Sequence, residues 1–417
     1  MIRPLAVTGA RLDGSTVAIR CSGGEIDAIG PDVAPQEGDE TIDAGGAAVI
    51  PALANGHTHA AMTLFRGYGG DLPLMRWLQE KVWPVEAKLD AEDVYWGTRL
   101  ACLEMIRTGT GRFWDMYWQP AATARAVSDS GLRATIGGPL FDADGRTEEM
   151  KATALAALEE LEPFGPEIGR ALAPHSIYTV SEELLRWTGE VSAERGVPVQ
   201  IHLSETAQEV EGCLADHGER PAHYLDRLGL LNDRTMLAHG VWLDREELGL
   251  IAERGATIVT NPVANLKLAS GGPFPYPAAR EAGVAVALGT DGAGSNDSLD
   301  LFSDLKTFAL MQRHAAGDPT VVPAAEALEI ATGGRAPILG AGRPLTVGAP
   351  ADFLLLRRDA YEIGLGELAS DIVYAASGSV VDTTVVGGRP LMRGGRVEGA
   401  EETIARARER AARLGIG

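Results

Sequence analysis

Cysteine is scarce in this chain of 417 residues, and its scarcity excludes two kinds of protein. The three cysteines, Cys21, Cys102 and Cys213, are odd in number and far apart in sequence. A disulfide framework and a cysteine-based zinc site both require more thiols at closer spacing. The sequence therefore fits a reducing compartment, and we expect a cytoplasmic protein.

Basic residues are outnumbered by acidic ones. The chain has 37 Lys and Arg against 58 Asp and Glu, which gives a net charge of -21. Such a charge repels the phosphates of nucleic acids and anionic lipid surfaces. We therefore expect neither nucleic acid nor a membrane as a partner, and we interpret the acidity as a solvated surface that aids solubility.

Long apolar runs of the kind that target or span membranes are also missing. The first seven residues lack the apolar core and the cleavage site of a signal peptide. Residues 44–65 contain no charged Asp, Glu, Lys or Arg and are long enough to span a bilayer, but they include Pro51, Asn55, His57 and His59. We interpret this stretch as a buried strand and a loop.

The hydrophobic pattern divides the chain into two ends and a middle. Residues 1–50 and 345–417 contain short apolar runs broken by Gly, Pro and Asp, which favours antiparallel strands, and we expect both ends to form one composite β-sandwich domain. Residues 51–344 instead alternate strands with long helices. Strands are predicted at 197–203, 235–239, 256–260 and 284–291, and helices at 181–196, 207–228 and 244–254. This alternation predicts an α/β protein with a closed (β/α)8 barrel of the TIM type.

Polar residues stand at the ends of the predicted barrel strands. They are His57, His59, His202, His239 and Asp291. In such a barrel the active site lies at the carboxyl ends of the strands, so these side chains are expected to converge. Three histidines and a carboxylate suit zinc or ferrous iron and leave a position for water, whose pKa a divalent ion lowers from about 15.7 towards 7.

Glu205 follows His202 by three residues, where the chain is expected to turn after its strand. Its carboxylate is a candidate proton carrier beside the metal-bound water. An acidic residue at the start of a helix is the other interpretation, since the helix dipole favours negative charge there. Asp291 is a candidate for both ligand and base.

Ten short motifs of the chain together resemble the amidohydrolase superfamily, in its branch of 5'-methylthioadenosine/S-adenosylhomocysteine deaminases. The resemblance runs from about residue 51 to 340. The motifs are His57-Thr58-His59-Ala60-Ala61-Met62-Thr63, Arg66-Gly67-Tyr68, Asp71-Leu72-Pro73-Leu74, Trp83-Pro84-Val85-Glu86, Pro174-His175, Tyr178-Thr179, His202-Leu203-Ser204-Glu205-Thr206, His239-Gly240, Asn265-Leu266-Lys267-Leu268-Ala269-Ser270-Gly271 and Gly289-Thr290-Asp291-Gly292.

The resemblance implies a role for each of these site residues. One divalent ion, Zn²⁺ or Fe²⁺, would be held by His57, His59, His202 and Asp291. The catalytic residues would be Glu205, which protonates the purine ring, His239, which lies against the water, and Asp291, which takes the proton of the water. The substrate-binding residues would be Glu86, which binds the ribose diol, together with His175 and Trp83.

The implied reaction converts the 6-amino group of a 5'-modified adenosine to the inosine analogue and ammonia. Adenosine, 5'-deoxyadenosine, 5'-methylthioadenosine and S-adenosylhomocysteine are the expected substrates. A second metal would need a bridging lysine from a middle strand, and the only lysine between Leu89 and Leu266 is Lys151, in a predicted helix. We therefore expect one metal ion.

The sequence departs from the family pattern at several positions. Ala264 replaces a usual serine, residues 272–277 replace a shorter stretch, and Gly111-Arg112-Phe113 replaces a run of threonines. Arg146 is the one candidate that the sequence offers for binding the homocysteine carboxylate. The group on the 5' carbon therefore stays open.

Three alternatives to this function remain. The substrate could be another aminated heterocycle, such as guanine, a pterin or aminodeoxyfutalosine, or it could be a triazine. The third alternative, a scaffold that lost catalysis, is disfavoured because no expected ligand is missing. The sequence does not define an oligomeric state, and a homo-oligomer is compatible with it.

Overall fold

β-Strands form both the central barrel of the molecule and its small second domain. The computed structural model describes residues 3–70 and 72–416, so Asp71 of the Asp71–Leu74 motif lies outside the described residues, as do Met1, Ile2 and Gly417. The described part contains eighteen strands: β1 (Leu5–Leu12), β2 (Ser15–Ser22), β3 (Glu25–Gly30), β4 (Glu40–Asp43), β5 (Val49–Pro51), β6 (Leu53–Thr58), β7 (Thr110–Met116), β8 (Arg133–Gly137), β9 (Pro139–Leu140), β10 (Ile168–Arg170), β11 (Ala173–Pro174), β12 (Val199–Leu203), β13 (Thr235–His239), β14 (Thr257–Thr260), β15 (Ala285–Leu288), β16 (Phe353–Leu356), β17 (Val381–Val386) and β18 (Arg389–Met392).

Fifteen α-helices accompany these strands in the described residues. They are α1 (Leu74–Trp77), α2 (Trp83–Glu86), α3 (Ala91–Arg107), α4 (Pro120–Ser130), α5 (Thr147–Leu161), α6 (Glu182–Arg195), α7 (Ala207–His217), α8 (Pro221–Arg227), α9 (Arg245–Arg254), α10 (Pro262–Lys267), α11 (Tyr276–Ala282), α12 (Leu301–Ala316), α13 (Ala324–Ala331), α14 (Leu368–Ser370) and α15 (Ala400–Leu414). Short 3-10 helices span Ala60–Phe65, Glu162–Phe164, Pro337–Leu339 and Gly378–Val380, and π-helices span Leu78–Val82 and Asp371–Ala375. Over the described parts of the chain, none of the helices combines the length and the apolarity that crossing a membrane requires.

Eight parallel strands close into the predicted barrel. One sheet has the order β10-β8-β7-β6 and another has the order β12-β13-β14-β15. A parallel bridge between Leu172 and Val199 joins the two sheets on one side. On the other side, the backbone N–H of Asp291 donates to the carbonyl oxygen of His57 at 3.0 Å, so the last barrel strand meets the first. The predicted (β/α)8 fold is confirmed.

The barrel strands are buried because helices cover their outer face. All five residues of β12 and all five of β13 are buried, which is the pattern of a parallel strand packed on both sides. His202 pairs in register with Ala238, and Leu203 pairs with His239. The carboxyl ends of β12 and β13 therefore lie level with one another at one rim of the barrel.

The helix predicted over residues 207–228 is in fact two helices. Helix α7 ends at His217 and is followed by its C-cap Gly218, which adopts a φ of 72°, and α8 begins with Pro221 at its first position. Glycine accepts this left-handed conformation without strain, and proline fits the first turn of a helix. The apolar spacing continues across the break, which is why the pattern alone predicted one helix.

The small domain is built from both ends of the chain. Its sheets have the orders β3-β2-β1-β4 and β18-β17-β16-β5. They share one apolar core to which Leu5 and Ile19 contribute from the first sheet and Phe353 and Val385 from the second. The pairing is antiparallel as predicted, except that β4 pairs with β1 in parallel, because the chain crosses from β3 to the opposite edge of the sheet.

The last helix of the chain packs on the barrel side of the molecule. Helix α15 contacts α3 and the 3-10 helix Ala60–Phe65, which directly follows the His57-Thr58-His59 motif. Arg413 of α15 forms an ion pair with Asp93 of α3, whose side chain is fully buried. The domain limits 51–344 and 345–417 stay a prediction, and the end of the second segment lies against barrel helices.

Candidate metal and catalytic site

Four side chains from three barrel strands point at one position on the rim. His57 is in β6 and His59 directly follows it, His202 is in β12, and Asp291 lies three residues after β15. One potential ligand atom of each lies within 4.8 Å of the others. The Nε2 atom of His202 is 3.1 Å from Nε2 of His57 and 3.3 Å from Nε2 of His59. Nitrogen atoms this close, together with a carboxylate, form a group that could hold a metal ion.

Hydrogen bonds on the far side of two imidazoles orient them toward this position. The Nδ1–H group of His59 donates to the carbonyl oxygen of Met116 at 2.6 Å, and that of His202 donates to the carbonyl of His175 at 2.7 Å. With the proton on Nδ1, the Nε2 lone pair is free to bind an ion, as in most histidine metal sites. The donor set therefore fits one divalent metal ion.

Asp291 is held in a conformation that few residues adopt. Its φ is 62°, in the left-handed region, and its N–H bonds to His57. One carboxylate oxygen, Oδ1, lies 3.2 Å from Nε2 of His59, and the other, Oδ2, accepts a hydrogen bond from Ser295 at 2.7 Å. The fold thus fixes one oxygen at the ligand cluster and orients the second through Ser295.

His239 and Glu205 lie beside the ligand cluster. His239 has a φ of 75°, and its Nδ1–H donates to Oδ1 of Asn265 at 2.8 Å, so Nε2 is presented to the cleft. That Nε2 lies 3.9 Å from Oε2 of Glu205. Burial raises the pKa of Glu205, although His239 opposes this shift. A buried carboxyl with a raised pKa is suited to carry a proton.

Helix α7 does not use Glu205 as its first residue. Its N-cap is Thr206, whose hydroxyl accepts from the backbone N–H of Glu209 at 3.2 Å. The carboxylate of Glu209 turns back and accepts the backbone N–H groups of Ser204 and Glu205 at 2.8 and 2.9 Å. The Glu205 side chain is thereby left in the cleft. Glu209 is a site residue that sequence reasoning missed, although Thr206 followed by Glu209 has the spacing of a capping box.

A cleft of about 680 Å³, including its open mouth, lies over these groups. All three predicted substrate residues, Glu86, His175 and Trp83, line it. Burial raises the pKa of Glu86, and the neighbouring polar groups of Tyr117 and Trp118 counteract the shift. Glu86 and Trp83 reach the cleft from α2, which follows the π-helix Leu78–Val82, and such irregular turns are frequent at functional sites.

His175 forms another part of the cleft wall. Its ring stacks on Phe141, with the ring centroids 4.4 Å apart, and its Nδ1 is 3.0 Å from the hydroxyl of Thr179. Burial lowers the pKa of His175 to about 3, so the imidazole is neutral at physiological pH. A neutral, stacked imidazole can exchange hydrogen bonds with a heterocycle without introducing a charge.

The two basic residues singled out in the sequence lie elsewhere. Lys151 is on α5, where its Nζ atom is 2.7 Å from carboxylate oxygens of both Glu148 and Glu183. Arg146 precedes α5 and pairs with Asp144, with 2.6 Å between Nε and Oδ2. Neither side chain lines the cleft.

Comparison with known proteins defines the class to which this barrel and its site belong. The model of the amidohydrolase family matches residues 48–391, so the chain belongs to that family, as the motifs indicated. The chain is 48% identical to a 5'-deoxyadenosine deaminase of Methanoregula boonei, over 91% of this chain and 87% of the relative.

Two further similarities agree with that assignment. The chain is 43% identical to a 5-methylthioadenosine/S-adenosylhomocysteine deaminase of Syntrophobacter fumaroxidans, over 95% of this chain and 92% of the relative. Among solved structures, an adenosine deaminase from Xanthomonas campestris with bound zinc superimposes with a TM-score of 0.91 at 35% identity, covering 99% of this chain and 98% of that one.

Proposed function

We propose that this protein is a metal-dependent hydrolase that deaminates adenosine derivatives modified at the 5' carbon. The observation that carries the proposal is the arrangement of the cleft. Four residues that could hold a metal ion lie at its floor, Glu205 and His239 lie beside them, and Glu86 lies in the wall. Relatives that align with most of the chain are named as deaminases that act on such nucleosides.

The proposed ligands of the ion are His57, His59, His202 and Asp291. A divalent ion held by them would supply the Lewis acidity that lowers the pKa of water towards neutrality. Zinc is our proposal for the ion, because three nitrogen donors and one oxygen donor suit it and a similar solved structure contains zinc. The same donor set also accepts ferrous iron.

The chain itself would move two protons in opposite directions. Asp291 takes a proton from the attacking water through its carboxylate, which the Ser295 hydroxyl orients at 2.7 Å. Glu205 gives a proton to the ring nitrogen next to the attacked carbon, for which its raised pKa is favourable. His239, fixed by Asn265, holds the water on its other side. Asp291 then passes this proton to the amino group, the bond between carbon 6 and the amino nitrogen breaks, and ammonia leaves. The hydroxyl proton that remains at carbon 6 returns to Glu205 as the carbonyl of the inosine product forms.

Glu86, His175 and Trp83 would bind the nucleoside. Glu86 accepts hydrogen bonds from the two hydroxyl groups of the ribose diol, and the neutral imidazole of His175 forms a hydrogen bond with the purine. The partner of this site is therefore a small nucleoside. The net charge of -21 remains an argument against nucleic acid, and the cytoplasm remains the expected compartment.

The test is ammonia release by the metal-loaded protein from a panel of compounds. The panel contains adenosine, 5'-deoxyadenosine, 5'-methylthioadenosine, S-adenosylhomocysteine, aminodeoxyfutalosine, guanine, a pterin and a triazine. We expect turnover of the 5'-modified adenosines, with the inosine analogue as product, and loss of turnover after chelation that zinc restores. Turnover of guanine, the pterin or the triazine with inert adenosines would contradict the proposal. Protein without bound metal after expression with added zinc, iron or manganese would support a scaffold instead.

A further inference from the structure

Apolar side chains, three acids, four histidines and several uncharged polar side chains line the described part of the cleft. Among the described residues, those that line it include no lysine and no arginine. The acids of the lining are Glu86, Glu205 and Asp291. The wall formed by residues 74–83 is apolar and consists of Leu74, Trp77, Leu78, Val82 and Trp83.

Three cations lie next to wall residues in sequence, and all three are directed elsewhere. Arg76 pairs with Glu80, with 2.7 Å between Nε and Oε1. Lys267 pairs with Asp297, with 2.5 Å between Nζ and Oδ2. The Nζ atom of Lys81 lies over a tyrosine ring, 6.0 Å from its centroid. None of these side chains lines the cleft.

Arg146, the candidate from the sequence for a carboxylate contact, is also directed away. Its guanidinium is held by two carboxylates, 2.6 Å from Oδ2 of Asp144 and 3.4 Å from Oε1 of Glu149. The side chain is 53% exposed. Among the described residues, therefore, no lysine or arginine is directed into the cleft to pair with a substrate carboxylate.

We infer that this site selects adenosine derivatives whose 5' group is uncharged and apolar, such as 5'-deoxy or 5'-methylthio, over those with a zwitterionic amino-acid tail. The inference rests on the proposed function. A carboxylate that loses water without gaining a cation is strongly disfavoured. A methyl or methylthio group instead gains by leaving water for the apolar wall. An ion held by the four candidate ligands could not serve the tail, because the proposed reaction takes place at carbon 6, at the opposite end of the nucleoside from the 5' carbon.

The test separates charge from size with three thioethers. They are 5'-methylthioadenosine, the uncharged 5'-butylthio-5'-deoxyadenosine and S-adenosylhomocysteine, whose tail has a similar length but carries an ammonium and a carboxylate. We expect kcat/KM for S-adenosylhomocysteine to be at least about tenfold below that for the butylthio compound, which corresponds to about 1.4 kcal/mol. All three are measured with the metal-loaded full chain at one pH and ionic strength.

Equal kcat/KM values for the two long thioethers, or a preference for the zwitterion, would overturn the inference while leaving the proposed function intact. Absence of ammonia from all three would instead refute the proposed function. Arg146→Ala is expected to change neither the activity nor the ratio. A selective loss with S-adenosylhomocysteine in that variant would show that Arg146 reaches the carboxylate, and this result too would overturn the inference.

Discussion

Replacing Glu205 by glutamine tests the proton transfer at the centre of the proposed reaction. The amide keeps the volume of the carboxyl group, so the buried surroundings of the side chain and its 3.5 Å approach to the Ser270 hydroxyl are retained. The four candidate metal ligands are other residues. We therefore expect Glu205→Gln to fold, to bind metal at the wild-type stoichiometry and to lose turnover, because an amide carries no transferable proton.

The expected loss follows from the step that is removed. A positioned general acid or base contributes about 10² to 10⁴ in rate, which corresponds to about 3 to 5 kcal/mol of the barrel's transition-state stabilisation. The assay is kcat for 5'-deoxyadenosine, together with metal per chain by mass spectrometry. The matched control is Glu211→Gln, at an exposed position of α7, which should leave both values unchanged. Turnover within about threefold of wild type at full metal content would remove Glu205 from the proton transfer, and loss of metal would make it a ligand.

Three further substitutions test other contacts of the structure. Glu86→Gln should lower kcat/KM for 5'-deoxyadenosine by about tenfold or more, since a hydrogen bond to a charged group contributes about 1.5–3 kcal/mol; a similar loss with an analogue that lacks both ribose hydroxyls would contradict the diol contact. Ser295→Ala removes the 2.7 Å hydrogen bond to the neighbouring aspartate and should reduce kcat by about tenfold at unchanged metal content; an unchanged kcat would show that this bond has no role in turnover. Arg413→Ala removes the nearer of the two arginines that pair with the buried carboxylate of Asp93 and leaves only Arg410, at 3.9 Å. It should lower the free energy of unfolding in urea by about 1–3 kcal/mol. Arg408→Ala, at an exposed position of the same helix, is its control, and equal stability of the two variants would refute the role of the pair.

The convergence of the site residues could be predicted because the barrel topology by itself determines where the strands end. Once strands and helices alternate, the carboxyl ends of the parallel strands must meet at one rim. His57, His202, His239 and Asp291 each stand at or just past such an end, and the structure brings them together. Their individual roles, and that of Glu205, stay predictions, as do the domain limits and the oligomeric state.

Other features could not be read from local pattern. Glu86 and Trp83 belong to a segment between β6 and β7 whose apolar residues give no indication of which wall they form, so only the family resemblance pointed to them. The carboxylate of Glu209 accepts the backbone N–H groups of Ser204 and Glu205, and this arrangement depends on the conformation of Ser204, which has a φ of 51°. A serine in the left-handed region has no sequence signal, because only glycine adopts that region without strain.

The pairing of β5 with β16 constrains when the site can form during synthesis. Strand β5 lies one residue before β6, the strand that carries His57, and it pairs with β16 through Pro51 opposite Phe353. Strand β6, which carries His57, is synthesised early. Strand β16, which pairs with β5, and the loop that carries Asp291 are synthesised much later. Such distant pairings form slowly because a long loop must close first. The four candidate ligands can therefore come together only after the loop that carries Asp291 has been synthesised.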